Sequence, residues 1–182
     1  MTAASPLLRT ERLDLWLPQR GDLDGMVALL EPEEMRLFLG PTRPDPVDQF
    51  ARLLRGAGCW SLYGYGMFMV RLRDTDEIVG TCGVFHSRRG FGRGLDDEPE
   101  AGWNIAARLW GQGLAAEAMD AALDWFDAAH GPRRIACMIE KDNVRSHGLA
   151  ARLGFVRYGE QTLAEDGAEV VLYERVPGEN LS

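Results

Sequence analysis

From Glu100 to Ala118 the chain reads EAGWNIAARLWGQGLAAEA, and most of its chemistry is concentrated there. An alternating pattern runs into a turn with two glycines, and the turn runs straight into an Ala-rich helical pattern. Gly111 and Gly113 remove two Cβ atoms, so backbone N–H groups can come close to a ligand. The N–H groups from Gln112 and Gly113 through Leu114, Ala115 and Ala116 are unpaired donors of a helix's first turn. The helix dipole adds partial positive charge at the same place, and phosphate is the group such a turn holds. Ahead of the turn, Asp97, Glu98 and Glu100 are carboxylates able to take a proton from a nucleophile.

These groups need a sheet and helices to hold them. Residues 12–17 alternate apolar and polar and read as a half-buried strand closed by Pro18. Asp22 opens a helical pattern at Leu23, Met26, Val27 and Leu30. Residues 41–46 form a proline-rich loop, and a second helix follows with Val47, Phe50, Leu53 and Leu54 on one face, ending near Gly56 and Gly58. Residues 67–72 and 78–85 read as strands, 88–98 as a mobile loop with Gly90, Gly92 and Gly94, and 100–105 as a fourth strand. Then come a helix over 114–129, a strand over 135–139, a helix over 144–153, and two strands, 155–160 and 170–175, around the Asp166-Gly167 turn. The order predicts a mixed α/β sheet in one domain spanning residues 1–182.

The glycine turn admits three readings. Gly111-x-Gly113-x-x-Ala116 fits the dinucleotide fingerprint, but too little chain follows to build a doubly wound sheet. A turn whose glycines serve packing alone also fits. The third reading is a diphosphate site for coenzyme A, and a second block bears on it: Asn143-Val144-Arg145-Ser146, followed by Leu153-Gly154-Phe155. With both blocks in order, the chain resembles the GNAT N-acetyltransferase superfamily over residues 8–176. The glycine-turn motif of that family, Q/R-x-x-G-x-G/A, fits as Trp110-x-x-Gly113-x-Ala115, with Trp in place of Gln or Arg; Arg108 to Gly113 also matches, two residues earlier. The form WGQGLAAEA and the opening Leu8-Arg9-Thr10-Glu11-Arg12-Leu13 are similar to the branch that includes ribosomal-protein N-terminal acetyltransferases.

The resemblance implies a mostly antiparallel sheet splayed between the fourth and fifth strands and flanked by about four helices. It implies acetyl-CoA as cosubstrate, no metal, and a primary amine as acceptor: a protein N-terminus, a small molecule or an aminoglycoside-like compound. A free N–H near Trp103, Asn104 or Ile105 would stabilise the oxyanion, and Gln112 to Ala116 would hold the diphosphate. Asn143 would bond the pantetheine arm, although an Asn here also caps a helix. Glu100 is the first candidate for general base, ahead of Glu98 and Asp97, and Glu117 reads as a helix N-terminal charge. The family's proton-donating tyrosine falls on Ala150, which leaves Ser146, and more remotely Tyr158, as donor to the leaving thiolate. Arg145 is preferred over Arg88, Arg89 and Arg93 for the coenzyme's adenosine phosphate, and His86 is a candidate substrate contact. A non-catalytic acyl-CoA-binding module is the alternative reading.

Composition narrows the class further. With 28 Asp+Glu against 20 Lys+Arg, the net charge of −8 argues against nucleic-acid binding and suits a cationic acceptor. No apolar run nears the roughly 18 residues of a membrane span, and the N-terminal residues lack a secretory pattern, so a cytoplasmic protein, monomer or homodimer, is expected. Cys59, Cys82 and Cys137 form no CxxC pair, which predicts neither zinc nor a disulfide framework. Cys137 falls in an apolar strand and reads as a core residue rather than a nucleophile. Trp60, Tyr63, Tyr65 and Phe68 are candidates for an acceptor-pocket wall or, equally, for core.

Overall fold

The computed structural model describes residues 5–40 and 42–177. Eight strands form one sheet in the order β1-β2-β3-β4-β5-β6-β8-β7. They are β1 (Leu8–Arg9), β2 (Leu13–Trp16), β3 (Met67–Leu72), β4 (Ile78–Arg88), β5 (Asp96–Ile105), β6 (Ile135–Glu140), β7 (Val156–Thr162) and β8 (Glu169–Arg175). Four α-helices accompany them: α1 (Leu23–Leu30), α2 (Pro46–Tyr63), α3 (Leu114–His130) and α4 (Val144–Arg152). Neighbouring strands are antiparallel except β5 and β6, which are parallel and meet at a single pair, Glu100 with Ala136. The fourth and fifth strands expected from the sequence are β5 and β6, because the short β1 precedes them. The splay between them is present.

Three apolar clusters hold the molecule. On one face, α3 and α4 cover the sheet through Ala118, Ala122, Phe126, Ala150 and Leu153, packed on residues from both sides of the splay such as Val70, Ala101 and Cys137. On the other face the core is divided. Met26, Leu29, Leu53, Met69 and Ile78 pack α1 and α2 on one part of the sheet, while Leu95, Ala136, Val170 and Leu172 form a separate cluster on the other. The gap between β5 and β6 is therefore bridged by a continuous core on the α3 side and left between two cores on the α1 side.

Three expectations are corrected. Helix α2 does not end at Gly56 or Gly58 but runs to Tyr63, stopped by Gly64 at φ 76°. Its start is set by Pro46 in the first turn and by Asp45, whose carboxylate accepts from the amides of Val47 and Asp48. Its expected buried face is also rotated: Leu53 and Gln49 are buried, while Val47, Phe50 and Leu54 are exposed. Gln49 can go inside because its amide donates to the Arg43 carbonyl and the Asp48 carboxylate. Of the proline-rich loop before α2, Pro41 lies outside the described residues.

The segment expected to be a mobile loop is instead tied down. Strand β4 extends to Arg88 and β5 begins at Asp96, with a bulge that leaves Asp97 at φ 64°. Between them the chain crosses the splay and covers β6, β8 and β7. Leu95 is fully buried there, the Tyr158 hydroxyl donates to the Arg93 carbonyl, and Arg134 donates to the Gly94 carbonyl. Gly94 takes φ 79° in this crossing, backbone that L side chains rarely adopt, which favours glycine there.

Candidate active site

Strand β5 feeds a short 3-10 turn at Ala107–Leu109, then Trp110, the glycine turn and α3. Gly111 and Gly113 take φ 77° and 78°, backbone that L side chains rarely adopt. No side chain caps α3, and the first bond of the helix runs from the Glu117 amide to the Gly113 carbonyl at 3.0 Å. Among the described residues, the amides of Leu114, Ala115 and Ala116 have no partner, as in the first turn of a helix without a side-chain cap. Trp110 donates its indole N–H to the Ile105 carbonyl at 2.6 Å, and the Arg145 guanidinium lies 4.5 Å above the Trp110 ring. A cation from α4 thus stands beside the turn.

The backbone along β5 alternates between its neighbours. The Ala106 amide reaches back to Val79 at the start of β4 (2.8 Å), whereas the Ile105 carbonyl is met by Trp110. Strand alternation then turns the backbone groups of Trp103 and Ile105 into the splay and those of Asn104 toward β4. Of the three expected oxyanion donors, Trp103 and Ile105 are suitably oriented, while Asn104 is corrected to a β4 partner.

The two candidate catalytic side chains lie on opposite sides of the sheet. The Trp103 indole N–H donates to Ser146 Oγ at 3.2 Å, across from β5 to α4. Asn143 Oδ1 accepts from the Ser146 amide at 3.2 Å and so caps α4, the capping role the sequence allowed. Glu100, on the α1 face, is not at the start of its strand but at the single pair where β5 and β6 still touch. Its side chain is 4% exposed, and Arg89 grips both oxygens, at 2.9 and 2.5 Å. Each oxygen thus already accepts one charge-assisted bond. Nothing in the sequence marked Arg89 as its partner, since the register across β4 and β5 creates the contact.

Other candidates are accounted for by structural contacts. Phe68 and Tyr65 are buried, and Trp60 packs against Phe68 and Trp125, so these aromatic residues are core. His86 lies inside β4, its Nδ1 2.8 Å from Tyr65 Oη and its Nε2 3.0 Å from Asp97, with Tyr63 stacked on the ring. Burial pushes the Tyr65 hydroxyl up, and the bond from His86 holds the Asp97 carboxyl below its usual range. Tyr158 is committed to Arg93, whose guanidinium in turn donates to the Glu160 carbonyl. Arg89 and Arg93 are therefore corrected away from the coenzyme. Burial raises the thiols of Cys82 and Cys137, which leaves neither suited to nucleophilic attack. Among the described residues no His, Cys, Asp or Glu cluster could hold a metal, and no helix is long and apolar enough to cross a membrane.

A sheet parted beside a glycine turn, with the turn opening a helix, is the arrangement that the resemblance to the GNAT superfamily implies. The chain belongs to the GNAT acetyltransferase family: the model of the Acetyltransferase (GNAT) domain matches residues 12–156. It is 28% identical to the uncharacterised N-acetyltransferase p20 of Bacillus licheniformis, over 84% of this chain and 83% of that one. A solved GNAT-family structure from Bordetella pertussis is 36% identical, superposes with a TM-score of 0.82, and is matched over 93% of this chain and 98% of its own. The ribosomal L7/L12 α-N-protein acetyltransferase RimL, solved with coenzyme A, shares the fold at TM-score 0.74 but only 17% identity, over 92% and 95% of the two chains. The protein is an N-acetyltransferase of this family.

Proposed function

We propose that the protein moves the acetyl group of acetyl-CoA directly to a primary amine, with both substrates bound together. The observation that carries this reading is the gap that begins after the Glu100–Ala136 pair and leads to the unpartnered amides of Leu114 to Ala116. The turn from Gln112 to Ala116 takes the diphosphate, and Arg145 adds a cation beside it. The pantetheine arm lies in the splay past Asn143 and Ser146, and the acceptor approaches from the α1 face, where Glu100 and Arg89 stand.

The amine nitrogen attacks the thioester carbon, and the carbonyl oxygen becomes an oxyanion facing the Trp103 and Ile105 amides. The C–S bond then breaks. The nitrogen gives up its proton to Glu100, directly or through water, once Arg89 yields a carboxylate oxygen. The thiolate takes a proton from Ser146 or from water. With Arg89 in place the Glu100 charge is balanced, so a cationic acceptor is drawn to the carboxylate only as Arg89 moves off it.

Turnover with a panel of amines, read as free thiol released from acetyl-CoA, tests the proposal. Thiol release that depends on a particular amine supports it. Tight coenzyme binding with no turnover on any class of amine would mean a non-catalytic acyl-CoA-binding module, which Ala150 at the tyrosine position and the Arg89-bound Glu100 both favour.

A further inference from the structure

We infer that Arg12, on the β1–β2 turn, is a positioning residue for the coenzyme's diphosphate turn. The inference rests on the reading of that turn given above. Arg12 lies far from the turn in sequence but beside it in space. Its Nε donates to Glu117 Oε2 at 2.6 Å and its Nη1 to the Gln112 carbonyl at 2.9 Å, so one planar guanidinium joins the first turn of α3 to the loop before it. Nη2 has no partner among the described residues and lies 3.7 Å from where a Cβ on Gly113 would be.

The surroundings hold this arm in place. Leu13, the next residue, is fully buried in the core under α3. Thr10 closes a tight turn with Leu13, and its hydroxyl donates to Glu117 Oε1 at 2.6 Å. The Arg12 amide reaches the same oxygen at 2.8 Å. Three donors from one β-turn therefore converge on a single carboxylate in the first turn of α3.

That carboxylate poses an electrostatic problem that Arg12 solves. An anion in the first turn suits the helix dipole, but it also repels a diphosphate bound to the same N-terminus. Arg12 neutralises Glu117 and, by fixing the Gln112 carbonyl, holds the peptide units whose amides face the phosphate. Sequence spacing gives no hint of this, because the contact joins residues about a hundred positions apart.

Calorimetric titration with coenzyme A, together with steady-state kinetics, tests the inference on Arg12→Ala, Arg12→Lys and Gly113→Val. Loss of charge-assisted bonds predicts that Arg12→Ala weakens coenzyme binding about 10- to 100-fold. The KM for acetyl-CoA should rise while kcat and the KM for the amine stay near wild type. Arg12→Lys keeps the charge but cannot reach both acceptors, so it should fall between the two. Adding Glu117→Gln to Arg12→Ala should restore part of the affinity, which a merely structural role would not do. Wild-type affinity in both Arg12 variants alongside a weakened Gly113→Val overturns the inference alone. Wild-type affinity in Gly113→Val as well overturns the diphosphate reading beneath it. If Arg12→Ala fails to fold, Arg12→Lys decides: affinity equal to wild type overturns the clamp.

Discussion

Ser146 Oγ receives the Trp103 indole N–H, so its own hydrogen is free to point into the splay. A coenzyme thiol resembles a cysteine-like group with a reference near pKa 8.5, so its anion leaves near neutral pH with modest help. Ser146→Ala is therefore expected to lower kcat by less than about 100-fold, the low end of general acid catalysis. Trp103→Phe keeps the hydroxyl and removes only the bond that orients it, so it should cost less, and the double variant no more than Ser146→Ala alone. A thousandfold loss in Ser146→Ala with normal coenzyme affinity would make the serine an obligatory donor. Glu100→Gln leaves the Arg89 cation unbalanced at the acceptor side. It should lower kcat without changing coenzyme affinity, and Arg89→Gln added to it should recover part of the loss for a cationic amine. No recovery would mean that Glu100 acts as proton acceptor alone. At this scale the sequence named Glu100 and Ser146 but could not give their partners. Arg89 and Trp103 meet them through strand register and the packing of α4, and neither is a local signal.

Elements are legible where periodicity and caps agree, as in β3, α3 and β6, and not where glycine lies within an element rather than at its boundary. Gly58 sits inside α2, and a Cβ there would meet nothing within 4 Å. Gly58→Ala should then stabilise the protein by about 0.4–1 kcal/mol, chiefly by restricting the unfolded chain. Thermal unfolding should show Tm raised by roughly 1–4 °C; a lowered Tm would show that the helix needs glycine there. Glu117 gives a second test on α3. Its burial raises the carboxyl pKa, but the bonds from Thr10 and Arg12 outweigh that and hold it below the ordinary value. A group depressed in the folded state contributes stability that is present above its unfolded pKa and lost as pH falls through the folded one. Denaturant unfolding between pH 6 and the acid limit should therefore show a loss of stability below about pH 4.5. Glu117→Gln should lack that part of the loss, and an unchanged acid limb in the variant would remove the carboxylate from the clamp.

For the whole molecule, the separation between β5 and β6 sets one face against the other. The α3-side core spans both parts of the sheet, while the α1-side cores are separate, so the gap can receive a linear arm without dividing the protein. A mixed α/β sheet was legible in the order of elements, and the splay only through the family resemblance that the two motifs carry. The divided core and the crossing segment from Arg89 to Leu95 were not, because a glycine-rich stretch gives no sign of one buried leucine. A consequence for exchange follows. Strand alternation leaves the Trp103 and Ile105 amides facing the gap without a strand partner, while the Asn104 amide faces β4. In the free protein, Trp103 and Ile105 should exchange with solvent much faster than Asn104, although all three lie in one strand. Coenzyme A should slow exchange at Trp103 and Ile105 and at Leu114 to Ala116, while leaving Asn104 almost unchanged. At 100 times its Kd the coenzyme should also stabilise the fold by about 2.7 kcal/mol, raising Tm by roughly 5–11 °C. Equal protection of Trp103, Asn104 and Ile105 in the free protein would mean that the gap is closed, and that the route proposed for the pantetheine arm is wrong.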